Sequence, residues 1–324
     1  MKVIQAKSAG FCYGVQRAVE LAEQTARERG GCVMLGSIIH NAHVVQHLEQ
    51  LGAHQVAGPE EIRPGDTVLI RAHGEKKQVI GHLKDIGAEC VDATCPNVLR
   101  VQQIVAQADA EGRVPIIIGD PNHPEVMGVA SWSARSVVFE GAEALQRWLD
   151  EDPARRELPL TAVAQTTCIR IIWDGAAEIL KKQCTNAKIF DTICNATHKR
   201  QSEAAELASQ VDVMVVVGDR KSANTKHLTE ICSRQCPAVY QIERAEELKR
   251  DFLTGCSVAG LTAGASTPAG IIKEVYTTMS EEIKTMEPTE ESFEEMLEKS
   301  FKTLNTGEKV TGIVTAVGPT EVQV

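Results

Sequence analysis

Three cysteines stand where they could hold a metal centre. Cys12 follows Ala9-Gly10-Phe11 and opens a helical pattern through Val15, Ala18, Val19, Leu21 and Ala22. Cys95 lies in V-D-A-T-C-P-N-V-L-R-V-Q (residues 91–102) and Cys194 in F-D-T-I-C-N-A-T-H-K-R-Q (residues 190–201). The last two share an Asp three positions before the Cys. All three stand where a strand-like run or turn hands over to a helix. In open α/β sheets ligands bind beyond the strand ends, so three such positions in similar units could meet on a common axis. Three thiolates leave one corner of a tetrahedral iron or zinc site open. A [4Fe–4S] cluster normally takes four Cys, so three would leave one iron free for substrate. A three-Cys zinc site is the alternative.

Two further sets are expected on the same side of the strands. The first is His40-Asn41, His73-Gly74 and His123-Pro124-Glu125. A structural loop His accounts for any one of them, but less well for all three together. His43 and His47 follow His40 at helical spacing, which allows a His40/His43/His47 zinc trio, but His40 lies before the helix cap. The second set is Gln165-Thr166-Thr167, Ser222-Ala223-Asn224-Thr225 and Ser266-Thr267-Pro268, each just before a helix. N-capping explains each alone. Three helix N-termini around one cavity would instead offer free N–H groups and dipole ends to a phosphate or diphosphate. Neither G-x-x-x-x-G-K-[ST] nor G-x-G-x-x-G occurs, so nucleotide binding has no motif support.

Strands must deliver these residues. β-branched and apolar runs predict strands at 2–6, 32–35, 67–70, 89–91, 114–118, 137–139, 160–164, 211–217 and 257–261. Helical patterns lie between them, which predicts an α/β fold with mostly parallel sheets. The Cys spacing divides the chain into units at 1–94 (with the N-terminal strand), 95–192 and 193–280. An acidic helical linker is expected at 281–306, with a capping box at Ser292 and Glu295. Residues 307–324 read as two strands, too short to fold alone.

Composition narrows the function. Of 324 residues 43% are apolar and only 4% aromatic, so Val, Ile, Leu and Ala must build the core. A net charge of −10 argues against a general nucleic-acid or anionic-membrane binder. No signal peptide and no run of transmembrane length is found, and a cytoplasmic protein is expected. Its ten Cys should then be mostly reduced, which favours metal ligation or buried packing over disulfides. Cys32, Cys90, Cys168, Cys184 and Cys256, with the Cys232/Cys236 pair, read as packing residues.

The motifs G-F-C-Y-G-V (10–15), H-N (40–41), A-H-G (72–74), D-A-T-C-P (92–96), H-P-E (123–125), Q-T-T (165–167), D-T-I-C-N-A-T (191–197), S-A-N-T (222–225) and A-S-T-P (265–268) carry a resemblance. In this order they resemble the 4-hydroxy-3-methylbut-2-enyl diphosphate reductases of the non-mevalonate isoprenoid pathway, over about residues 1–280. The resemblance implies a trefoil of three α/β units around a [4Fe–4S] cluster held by Cys12, Cys95 and Cys194. It implies reductive loss of the C4 hydroxyl of an allylic diphosphate, giving isopentenyl and dimethylallyl diphosphates. Glu125 would be the proton source, directly or through Thr166 and Thr167. His40, His73, His123, Ser222, Asn224 and Ser266 would hold the diphosphate, and a ferredoxin or flavodoxin would supply electrons. Ala223 stands where the family usually has a second Ser, which bears on one diphosphate contact rather than on the activity. The tail K-V-T-G-I-V-T-A-V-G-P-T-E-V-Q-V resembles the opening strands of an S1-type RNA-binding domain, so RNA would be a partner only of a longer chain. A zinc-dependent phosphohydrolase and a non-enzymatic RNA-binding or regulatory protein are the competing classes.

Overall fold

The computed structural model describes residues 2–286, 316–317 and 322–323. The chain opens with β1 (Lys2–Gln5), α1 (Tyr13–Arg29), β2 (Cys32–Leu35), α2 (Ala42–Gln50), β3 (Ala53–Val56), β4 (Thr67–Ile70), α3 (Lys77–Asp85) and β5 (Glu89–Asp92). It continues through α4 (Pro96–Ala110), β6 (Val114–Ile118), α5 (Pro124–Ala130), β7 (Val137–Phe139), α6 (Ala142–Glu151), β8 (Leu160–Ala164), α7 (Arg170–Gln183) and β9 (Ala187–Ile189). The last stretch holds α8 (Asn195–Ala208), β10 (Val213–Val217), α9 (Ala223–Ser233), β11 (Val239–Ile242), β12 (Val258–Ala263) and α10 (Ala269–Met286).

These strands form three four-stranded sheets, ordered β3-β2-β4-β5, β7-β6-β8-β9 and β11-β10-β12-β1. Every pairing in them is parallel. The three orders are one pattern used three times, and the final edge strand in each leads to a candidate cysteine. β1 pairs with β12 in the register Lys2↔Val258 to Gln5↔Leu261. The first strand of the chain therefore completes the third sheet, taking the place that β5 and β9 hold in the others.

Parallel sheets need cover on both faces, and the strand alternation supplies it. Cys32, Met34 and Leu69 face the core packed by Ala18, Ala22 and Ala26 of α1. Val33, Leu35, Val68 and Ile70 face the opposite core with Leu83 of α3. The second sheet repeats this, with Ile116, Ile118, Ala162 and Ala164 on one side and Ile117 and Val163 on the other. Val213 to Val217 are all inaccessible to solvent, which marks β10 as a central strand. Burying each such Val, Leu or Ile contributes about 1.5–3 kcal/mol.

Helix α10 runs to Met286, past the point where the sequence suggested a change to linker, and Val275 and Met279 anchor it in the core. The expected capping box at Ser292 and Glu295 lies outside the described residues. Within 307–324, Ala316–Val317 and Val322–Gln323 form a short antiparallel pair. No helix among the described residues is long and apolar enough to cross a membrane.

Candidate active site

Cys12, Cys95 and Cys194 each occupy the residue just before a helix, at the head of α1, α4 and α8. Their backbones are held alike. The N–H of Cys12 donates to the Ala265 carbonyl at 3.3 Å, that of Cys95 to Ala72 at 2.9 Å, and that of Cys194 to Thr166 at 2.9 Å. The acceptors lie in the loops after β12, β4 and β8, each the inner neighbour of the strand that carries the Cys. The Asp of the repeated motif shapes the turn: Thr94 N–H donates to Asp92 at 2.9 Å, and Ile193 N–H to Asp191 at 3.2 Å. Side-chain bonds to an N–H two residues on are what make Asp a turn residue, so these two carboxylates have a structural task.

None of the three thiols caps its helix, and all line one cavity. Asn97 Nδ2 donates to Cys194 Sγ at 3.2 Å. A Cβ on Gly14 would sit 2.5 Å from Cys95 Sγ, so glycine is required for the thiol to keep its place. Burial pushes the Cys95 thiol up, while the N–H groups of Asn97 and Val98 work against that. Among the described residues, the three donors whose ligand atoms all lie within 4.8 Å are imidazoles rather than these thiols. Thiols arriving from three separate helix starts on one shared cavity suit a group larger than one ion.

His40, His73 and His123 line the same cavity. Their ring centroids are 4.6 Å (His40–His73), 5.3 Å (His73–His123) and 6.0 Å (His40–His123) apart. Burial lowers the pKa of all three, His73 to well below its ordinary range and His123 to about 4. They are therefore neutral near pH 7 before a ligand arrives. Glu125 N–H donates to His123 Nδ1 at 3.1 Å, so the neutral ring carries its proton on Nε2. Buried His40 Nε2 and His73 Nδ1 have no partner among the described residues.

Pro124 opens α5 directly before Glu125, and its fixed φ suits a first helical position. Glu125 is 2% exposed. Its Oε1 accepts from Thr166 N–H at 2.6 Å and its Oε2 from Thr166 Oγ1 at 2.8 Å. Burial raises its pKa to about 7 against the opposing pull of these bonds. Thr167 lines the same cavity, with its Oγ1 buried and unpartnered among the described residues.

The loops after β10 and β12 close the cavity. Ser222 caps α9 by accepting from Thr225 N–H at 3.4 Å. Asn224 and Ser266 are 4% and 7% exposed, yet among the described residues Asn224 Oδ1 and Nδ2 and Ser266 Oγ lack partners. Such groups cost roughly 1–3 kcal/mol each when left unsatisfied, so a polar ligand would relieve them. Arg71, Lys221 and Lys226 lie close enough to act on His40, opposed by Asp219. These cations form an outer field that reading the motifs alone missed.

All the predicted cavity residues thus meet. His43 and His47 do not join His40: they line a separate cleft, where His47 pairs with Glu23 at 3.3 Å. Every cysteine is a free thiol. Cys32 is pushed to about 11, and Cys168 and Cys232 to about 12, by burial, as suits inert packing thiols. Asn97 was not singled out from sequence. Its place two residues after Cys95, past the capping position, is the signal that could have found it.

Fold and site together define a three-unit α/β enzyme whose thiols, imidazoles and buried acid surround one small-molecule cavity. The model of the LytB protein family matches residues 3–280. The chain belongs to that family. A 4-hydroxy-3-methylbut-2-enyl diphosphate reductase of Caldanaerobacter subterraneus subsp. tengcongensis is 39% identical over 297 residues, covering 90% of this chain and all of the relative. One from a Nitratiruptor species is 38% identical over 276 residues, covering 85% and 97%. A solved structure of the terminal enzyme of the non-mevalonate pathway matches with TM-score 0.63 and 38% identity, over 87% of this chain and 100% of that one. The reductase from Plasmodium falciparum matches with TM-score 0.80 and 26% identity, over 85% and 87%.

Proposed function

We propose that this chain carries out the reaction its relatives are named for, the reductive dehydroxylation of (E)-4-hydroxy-3-methylbut-2-enyl diphosphate to isopentenyl and dimethylallyl diphosphates. The observation that carries the reading is the convergence of three free thiols and one buried acid on a cavity whose other end holds unsatisfied polar groups. Cys12, Cys95 and Cys194 would hold a [4Fe–4S] cluster. Bound there, the cluster would supply electrons and, at the iron without a thiolate, a Lewis acid for the substrate hydroxyl oxygen.

The chain's own groups do the rest. Ser222, Asn224 and Ser266 bind the diphosphate with the N-termini of α9 and α10. The imidazoles of His40, His73 and His123 surround the same anion, and an anion favours their protonated form. Glu125 delivers a proton at the reacting carbon or oxygen, directly or through Thr166 and Thr167. Its closeness to a diphosphate favours the acid form further. A soluble donor such as ferredoxin or flavodoxin brings the electrons, and the free thiols fit a cytoplasmic setting. The imidazole spacing would also admit one divalent ion, which is the basis of the competing zinc phosphohydrolase reading.

Inorganic diphosphate is expected to compete with substrate. Ser266→Ala should raise KM roughly tenfold, the effect of one hydrogen bond to a charged group, and lower kcat less. An unchanged KM, or diphosphate inhibition that excess substrate cannot relieve, would remove this end of the cavity from substrate binding.

A further inference from the structure

Arg200 is used by none of the chemistry above, yet it is 3% exposed. It lies on α8, the helix that Cys194 heads, and reaches across to the loop that carries Cys12. Its Nε donates to the Ser8 carbonyl at 2.9 Å and its Nη2 to the Gly10 carbonyl at 2.7 Å. Both partners are neutral, and buried Nη1 has no partner among the described residues. Glu203, one turn on, is occupied by the N–H groups of Lys7 and Ser8 at 2.7 and 2.8 Å. The guanidinium is thus buried and held in place, with no carboxylate paired to it among the described residues. A buried cation without an anion is strongly unfavourable, and Arg cannot shed its proton as Lys can. Burial works against the charge here, and the side chains of Cys12 and Cys194 act in its favour ahead of Glu203.

We infer that Arg200 is a positioning residue that fixes the loop of Cys12 against the helix of Cys194 and supplies the buried positive charge that offsets the anionic cluster. The inference rests on the cluster reading above. Three thiolates on a [4Fe–4S] core leave a net anion, and each added electron makes it more negative. Net charge and hydrogen bonding near the cluster set its potential. A fixed cation on the helix of Cys194 and bound to the loop of Cys12 favours the reduced state.

The test is a redox titration of the anaerobically loaded full chain, followed by electron paramagnetic resonance, with iron content and far-ultraviolet circular dichroism measured alongside. Arg200→Gln should lower the reduced-to-oxidised ratio at a fixed potential at least tenfold, about 59 mV for one electron. Arg200→Lys keeps the charge but cannot span both carbonyls, and should recover most of that shift. If Arg200→Gln folds but takes up no iron while Arg200→Lys does, the charge is again the requirement. Equal shifts in both variants, equal loss of iron in both, or no shift in Arg200→Gln with a full cluster would each overturn the inference. A wild-type chain that binds no cluster would instead overturn the reading beneath it.

Discussion

Glu125→Gln is expected to lower kcat by about 10²–10⁴-fold, the usual loss when a positioned proton donor is removed. Gln keeps the shape and can still meet Thr166 N–H and Oγ1, so the loop after β8 should hold and iron content should not change. The plain alternative for a Glu in the first turn of a helix is complementing the dipole. That role needs an ionised carboxylate, whereas burial raises the pKa of Glu125 to about 7. The sign of the pH dependence follows. The acid form is the working form, so kcat/KM should be full below about pH 7 and fall as pH rises through it. In the complex the diphosphate raises the carboxyl further, and the limb in kcat should lie at higher pH. Glu125→Gln should lose both limbs. A near-normal kcat in that variant, with iron intact, would move the proton source to Thr166, Thr167 or the substrate diphosphate.

Cys95→Ser is expected to abolish the visible absorption and most of the bound iron, and turnover with them. Cys12→Ser and Cys194→Ser should behave alike, because the backbone N–H groups of the three cysteines are held by equivalent hydrogen bonds at equivalent helix starts. Cys232→Ala is the control. Its thiol is buried against Ala204 and its pKa is near 12, so its loss should cost only packing, roughly 1–3 kcal/mol of stability, with iron retained. Iron analysis and the absorption spectrum of the four variants decide it. Retained iron in Cys95→Ser would refute the ligand set.

The histidines, Glu125 and the hydroxyl and amide residues were legible because they lie in loops after strongly apolar strands, where motif and local structure coincide, and the cysteines because their motif recurs. Val114 to Ile118 announces β6, and the His-Pro-Glu that follows could only sit at its end. Each unit sends three strand ends to the cavity, and the sequence repeats that grammar. The edge strands β3, β9 and β11 were not legible. Ala53-His54-Gln55-Val56 has its two central residues exposed, so only pairing with β2 makes it a strand. The role of β1 was hidden for a different reason: its partner β12 lies some 250 residues away along the chain, and no local pattern reports that. Arg200 reads as a surface charge in a polar helix, and only the fold turns it toward the loop of Cys12.

The central claim is that three thiols make this chain an iron–sulfur reductase. Anaerobic loading with iron and sulfide, followed by assay of (E)-4-hydroxy-3-methylbut-2-enyl diphosphate with a chemical reductant, tests it most directly. A brown protein with about four iron and four sulfide per chain, forming isopentenyl and dimethylallyl diphosphates, is the predicted result. A colourless protein that binds one zinc and releases phosphate from the same compound would contradict it.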